Sequence, residues 1–430
     1  MAIEIIQSRL IILVLFEVIF LSFILKYEKN FWQKIFLLFS FLGFFFYNGI
    51  GSIYVKTDNI YIYYYFIYSI IYYVSFKASL SIYKKLGIRN LIRNKSINNK
   101  FTFIRSNKYL NSIIIFYLFI NLLNLVYPKF ILYRLISPPM PDAMSLLSQE
   151  IDNTGNSLII SRIIYYISLT VFPFYYIALS KYKNKPKLLV ALLFLPVYIT
   201  YCQNSYISRG SILRILFISS LSIYYYMPKY RKRIIILGII SIPFLISFFY
   251  AYSVIRQNGN FTNSNFGFAM QILFRQETEF PTFFATVSKH AGLYEKEFLI
   301  WLITLPFPKF GLIHLVPVNY QISEIILGMS KYNPLYYVKL AGCISESVYI
   351  FGNSFFWLEA IIVGSLAGFV FIIIKNIPNN EILLGLVIIS FSYGYPRAGI
   401  SGIAPFILNQ LLILYLYIFS PPLSRHHKFS

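Results

Sequence analysis

Residues 355–374 read FFWLEAIIVGSLAGFVFIII, with one charge, Glu359, and a lysine directly after the run. A helix rises 1.5 Å per residue, so about 20 apolar residues match a hydrocarbon core of about 30 Å. The run is continuous, whereas a membrane β-barrel strand alternates apolar and polar residues. Working outward, comparable runs lie at 8–25, 32–55, 60–83, 109–127, 163–180, 188–206, 211–227, 234–255, 382–396 and 402–419. The expectation is an all-α, polytopic integral membrane protein with about eleven transmembrane helices (ten to twelve) and one large extracytoplasmic loop, forming a single membrane domain over 1–430.

Composition agrees with that reading. Apolar side chains make up 58% of the 430 residues and charged ones 12%, against about 45–50% and 25% in soluble domains. Mean hydropathy is +0.65. An aqueous globule is excluded. The net charge of +23 would point to nucleic acid in a soluble protein, but here the basic residues crowd short loops between spans. Loops 26–34, 84–108, 181–187, 228–233 and 375–381 and the tail 421–430 carry 22 basic residues in 64 positions. The alternate loops hold fewer than one in ten. The positive-inside rule places the dense set in the cytoplasm, the N-terminus outside and the C-terminus inside. A nucleic-acid partner is not expected, and the abundant tyrosines read as a bias of composition.

Glu17 in mid-run, with no small-residue cleavage site before Lys26, argues against a cleaved signal peptide. No internal repeat or matched pair of broken helices suggests a carrier fold. Two outer stretches break the rhythm of short loops, 128–162 and 256–354, and loops that long are usually functional. Within the second, 298–316 is apolar but interrupted by Pro306 and Pro308. It reads as interfacial or re-entrant, a state tolerated only under a protein or water cover. The irregular, polar material therefore gathers on the outer face.

The chain has no phosphate-loop motif, no H-E-x-x-H and no D-x-D. Neither ATP-driven transport, zinc proteolysis nor a carboxylate-held divalent metal is expected, and no cofactor is implied. Two cysteines, Cys202 and Cys343, are too few for a disulfide framework. The informative groups are outer arginines. Arg209 precedes Gly210 in a tight turn, Arg256 follows the eighth span, Arg275 heads a polar cluster, and Arg397 lies in YPRAG. A guanidinium grips phosphate oxygens in a two-pronged fashion, or it snorkels to a lipid phosphate. Arg275 and Glu279 are spaced as an i,i+4 helix pair, with Glu277 between them. Glu346 and Tyr349 share a helical face just before the ninth span. Glu346 serves either as a proton acceptor or as the cap of a helix N-terminus. His290 is the only outer histidine besides His314, and serves either a structural role or proton transfer, which its charge state suits near neutral pH. Within spans, Lys77 is near enough to the inner end to snorkel, Glu17 has no assignable partner, and Glu359 borders the outer cavity.

Ser208-Arg209-Gly210-Ser211, the stretch GCISESVYIFGNSFFWLEAIIVG at 342–364, and Pro306-Phe307-Pro308-Lys309 together resemble the Wzy-type O-antigen and capsule polymerases. The derived outside N-terminus departs from that family, whose members often have both termini inside. The resemblance implies a metal-independent glycosyltransferase of the bacterial inner membrane that acts on its extracytoplasmic face. Its substrates would be polyprenyl-diphosphate-linked oligosaccharides and its other partners membrane lipid and a chain-length regulator of the polysaccharide. In that scheme Arg209, Arg256, Arg275 and Arg397 hold the diphosphate, and Glu346, with Glu277 or His290 as rivals, takes the acceptor's proton. Gly210, Tyr349 and Glu359 line the substrate cavity. An O-antigen ligase, a lipid-linked oligosaccharide flippase or other transporter, and a non-catalytic subunit of an export complex are the alternatives.

Overall fold

The computed structural model describes residues 2–54, 59–85, 107–127, 130–137, 157–203, 209–256, 278–292, 295–304, 318–330, 332–333, 336, 338–375 and 381–411. Among them the chain is helical and forms no strand. In order, the helices are α1 (Ala2–Tyr27), α2 (Phe31–Phe44), α3 (Gly51–Tyr54), α4 (Asn59–Lys85), α5 (Asn107–Val126), α6 (Ser157–Ala178), α7 (Pro186–Gln203), α8 (Arg209–Tyr226) and α9 (Arg231–Arg256). The second half contains α10 (Phe284–Val287), α11 (Glu295–Thr304), α12 (Val318–Leu327), α13 (Cys343–Phe355), α14 (Trp357–Lys375), α15 (Glu381–Ile389) and α16 (Tyr395–Pro405). Among the described residues, six helical segments are long and apolar enough to cross a membrane: Arg9–Tyr27, Tyr109–Val126, Ile163–Tyr182, Pro186–Gln203, Trp357–Lys375 and Glu381–Leu408. The runs at 32–55, 60–83, 211–227 and 234–255 are helical over most of their length but are not among these six.

The core is built on α4 and α14. On α4, Tyr61, Tyr65, Tyr68, Tyr72 and Phe76 recur at three- and four-residue steps and are buried, so they line one face of the helix. Gly364 and Gly368, four apart on α14, let that helix close onto α4. A Cβ at 364 would lie 2.7 Å from the Tyr72 carbonyl, and one at 368 would strike the Ser79 hydroxyl. Small residues at this spacing are how membrane helices approach each other without a hydrophobic driving force. Around this pair pack α2, α13 and the 381–411 segment, while α5, α6 and α7 form a flank. Aliphatic side chains on the outer faces of α1 (Ile11, Leu15, Ile19) and α9 (Ile236, Leu237, Ile240) are exposed, as lipid contact requires.

Glu381–Leu408 is not a straight rod. A π-helical turn spans Ser390–Gly394, and Gly399 breaks the helix at φ 55°, ψ −145°. In a continuous helix residues eight apart are about 12 Å apart along the axis. Here a Cβ on Gly402 would meet the Gly394 carbonyl at 2.6 Å. The chain therefore folds back at 395–401.

Three readings of buried polar groups are corrected by the packing. Glu17 does have a partner, since the Tyr65 hydroxyl donates to its Oε2 at 3.0 Å. Lys77 also has a protein partner, Glu28, at 2.6 Å. The tyrosines are not mere compositional bias, because seven of the largest fully buried side chains are tyrosines and several bond to buried polar groups. Cys202 and Cys343 are both free and buried. The segments 128–129, 138–156, 257–277 and 305–317, which hold most of the first long loop, about a third of the second and the second half of 298–316, lie outside the described residues. The first part of 298–316 belongs to α11.

Candidate functional site

The approach to α13 is pinned before the helix begins. The Ser323 hydroxyl on α12 accepts the Lys339 N–H at 2.7 Å and lies within hydrogen-bond distance of the Asn319 and Lys339 carbonyls, at 2.5 and 2.9 Å. Gly342 then adopts φ 80°, and its N–H donates to the Arg397 carbonyl at 2.9 Å. A Cβ at 342 would press on Asn48 Oδ1 at 2.6 Å, so glycine is needed for both conformation and space. Asn48 sits in the π-helical turn Phe45–Gly49 and donates to the Pro396 carbonyl at 2.8 Å, while the Tyr61 hydroxyl donates to its Oδ1 at 3.3 Å. The 395–401 turn is thereby held by Asn48 of the Phe45–Gly49 turn, which Tyr61 of α4 braces, and by Gly342 at the start of α13.

Two carboxyls meet at the break. Once the helix is interrupted at Gly399, the amides that follow have no carbonyl one turn back. The Ile400 N–H donates to Glu359 Oε1 at 3.0 Å, and the Ser401 N–H donates to Glu346 Oε1 at 2.8 Å. The Ser401 hydroxyl lies 2.6 Å from Glu346 Oε2. Glu346 and Glu359 also stand in the first turns of α13 and α14, where the helix dipole favours negative charge. Both are almost wholly buried, at 3% and 0% exposure. Burial pushes the Glu346 carboxyl well above the usual carboxylate range, and its bonds from residues 400 and 401 pull the other way. On the far side of Glu359, the Tyr68 and Tyr395 hydroxyls bond to each other at 2.5 Å, and the Ser347 hydroxyl donates to the Phe356 carbonyl.

Arg397 is half-buried and turns its guanidinium into aromatic rings. The Tyr393 ring centre is 4.6 Å away, Tyr47 5.6 Å and Phe280 5.9 Å, and Nη1 donates to the Tyr393 hydroxyl. Such a cage holds a cation by its ring faces. Of the expected site residues, Glu346, Glu359 and Arg397 come together within this one turn. Tyr349 does not join them. Its hydroxyl donates to Gln321 Oε1 at 2.7 Å, and its carbonyl accepts the Gly292 N–H at 2.9 Å. His290 is exposed at the end of the turn Ser288–His290 that packs on α13. Arg209 and Gly210 open α8 and Arg256 closes α9. Their side chains, and Arg275 and Glu277 altogether, lie outside the described residues. Glu279 forms an ion pair with Lys339 at 3.3 Å.

Two corrections concern this turn. Glu359 does not border an open cavity but is sealed against the break. Glu346 is indeed a cap, yet of the segment after Gly399 and not of a helix in its own loop. Sequence reasoning passed over Asn48, Tyr68 and Ser401, and took Tyr395 and Gly399 only as the setting of Arg397; the spacing of the α4 tyrosines was the available signal for Tyr68. Compared with known protein families, with characterised proteins and with solved structures, the chain has no match in any of the three.

Proposed function

We propose that this chain polymerises polyprenyl-diphosphate-linked oligosaccharide repeat units into a surface polysaccharide, at the outer side of the bacterial inner membrane. The observation that carries the reading is the turn at 395–401, where a caged guanidinium, Arg397, and a raised carboxyl, Glu346, are fixed to one another through the Gly342–Arg397 backbone bond. A cation suited to phosphate oxygens and an acid poised near neutral pH are the two groups such a transfer needs. If the eleven spans expected from the sequence hold, with the N-terminus outside, this turn would share a face with Arg209, Arg256 and Arg275.

In the proposed step an acceptor hydroxyl oxygen attacks the donor's anomeric carbon. The new C–O bond forms as the bond to the diphosphate breaks, and the diphosphate leaves with the electron pair. The hydroxyl proton passes to Glu346, with Glu277 and His290 as the rival acceptors. The arginines meet the charge that grows on the leaving diphosphate, and fixed donors at such a point are usually the largest catalytic contribution. Guanidinium suits the place because it stays charged beside lipid. Glu346 is covered in the described arrangement, so the 395–401 turn moves aside when substrate arrives. An O-antigen ligase shares donor and chemistry but passes the finished chain to a lipid core. Polymer-length analysis separates the two: deletion of the gene shortens the polysaccharide to single repeat units if the chain is a polymerase, and leaves long unattached polymer if it is a ligase.

A further inference from the structure

We propose that Asn48 is a positioning residue for Arg397, holding the backbone that carries the guanidinium while its neighbour Tyr47 holds the guanidinium itself. The proposal rests on the reading above, in which Arg397 meets the leaving diphosphate, and adds what fixes Arg397 in place. Asn48 is fully buried, and each end of its amide has a set partner. The Pro396 carbonyl can only accept, so the amide nitrogen faces it, at 2.8 Å. The amide oxygen accepts the Tyr61 hydroxyl at 3.3 Å. On the other side of Arg397, its own carbonyl accepts the Gly342 N–H at 2.9 Å. The two peptide groups that flank the Arg397 Cα are therefore both tied. Of the two ties, only the one from Asn48 is made by a side chain.

The segment that carries Asn48 also builds the surroundings of the guanidinium. The Ile50 N–H donates to the Phe45 carbonyl at 2.8 Å, the i→i+5 bond of a π-helical turn, a form frequent at functional sites. In a regular α-helix neighbouring side chains point about 100° apart, yet here Tyr47 and Asn48 both meet the 393–397 stretch. The Tyr47 ring centre lies 5.6 Å from the Arg397 guanidinium and 5.9 Å from the Tyr393 ring. The same ring meets Phe280 at 5.8 Å, edge to face. Just past the turn, a Cβ on Gly51 would strike the Thr278 carbonyl, so the lack of a side chain there lets the segment with Phe280 close in. One short piece of chain, 45–51, thus supplies one wall of the cage, admits a second and anchors the backbone beneath both. A guanidinium stands at the end of a long side chain, so a small tilt of its Cα moves it further. A displacement of about 1 Å at a group aimed at reacting atoms can cost ~100-fold in rate.

The test is side-chain NMR of the full chain with isotope-labelled arginine, in lipid nanodiscs. The Arg397 signal is the one missing from Arg397→Lys, and the surrounding rings shift it away from those of other arginines. Asn48→Leu, close in size but without a donor, should move that signal toward the others. Tyr61→Phe removes a bond from the same amide but leaves its donor, and should not. A signal that stays in place in Asn48→Leu would overturn the proposal, as would one equally displaced in Tyr61→Phe. Should Asn48→Leu not fold, Asn48→Ser, whose hydroxyl is too short to reach Pro396, is read in the same way. In polymerisation assays Asn48→Leu should lose roughly 100-fold in kcat with KM within about twofold of wild type. Added to Arg397→Lys it should cost nothing more, because it acts through the group already altered. Losses that multiply in the double variant would overturn the proposal. If the wild type joins no repeat units, the polymerase reading falls, while the NMR signals still decide what Asn48 does.

Discussion

Replacing Gly399 by alanine perturbs the turn at its tightest point. At φ 55°, ψ −145° the backbone lies in territory that an L-residue occupies at a cost of about 1–3 kcal/mol. The new methyl carbon would stand 2.8 Å from the carboxyls of both Glu346 and Glu359. At least one of them must retreat from its amide, which forfeits a further ~1–3 kcal/mol for a buried bond to a carboxyl. The two effects add, so Gly399→Ala should destabilise the protein by about 2–6 kcal/mol. Unfolding of the detergent-solubilised chain, followed by fluorescence of Trp32, Trp301 and Trp357, measures this. Gly238→Ala is the control: no heavy atom lies within 4 Å of its Cβ position, and in mid-helix it should gain up to ~1 kcal/mol. A Gly399→Ala protein within about 1 kcal/mol of wild type would refute the account of the break.

Gly368→Leu should drive α14 off α4, lowering stability by about 1–3 kcal/mol or preventing accumulation of folded protein, as read by detergent unfolding and by yield. Tyr65→Phe deprives the buried Glu17 Oε2 of its donor and should cost about 1–3 kcal/mol in the same assay. Stability should also depend on pH through Glu346. Its folded value, about 8, lies above the ordinary 4.5, so the folded state binds the extra proton. The penalty on folding is absent below pH about 4.5, grows from there and is complete above pH about 8. The midpoint temperature of the wild type should therefore fall across that window, and Glu346→Gln should flatten the fall. Arg397→Lys keeps the charge but loses the planar fork, and should cut polymerisation roughly 100- to 1000-fold, measured as polymer formed per cell.

The membrane-crossing helices were legible because they need only length and a lack of charge, which a run such as 355–374 displays directly. The turn that matters was legible in part. Glu346, Glu359 and Arg397 stood out as charges beside apolar runs and as pieces of a family-like motif, but nothing local says that 346, 359 and 399–401 converge. That convergence depends on a fold-back at Gly399 and on contacts between distant segments. The glycines 364 and 368 and the tyrosine stripe on α4 did carry a local signal, a small residue every four positions and a helical period. It was masked by a composition rich in tyrosine throughout.

The most direct measurement follows both products of the reaction at once. The purified chain, reconstituted in vesicles, is given the lipid-linked oligosaccharide isolated from the cells that express it, and free polyprenyl diphosphate and glycan length are measured together. The account predicts one polyprenyl diphosphate released for every repeat unit joined, with release and elongation both lost in Glu346→Gln. Intact lipid-linked oligosaccharide that merely changes sides of the vesicle, with no diphosphate freed, would contradict it.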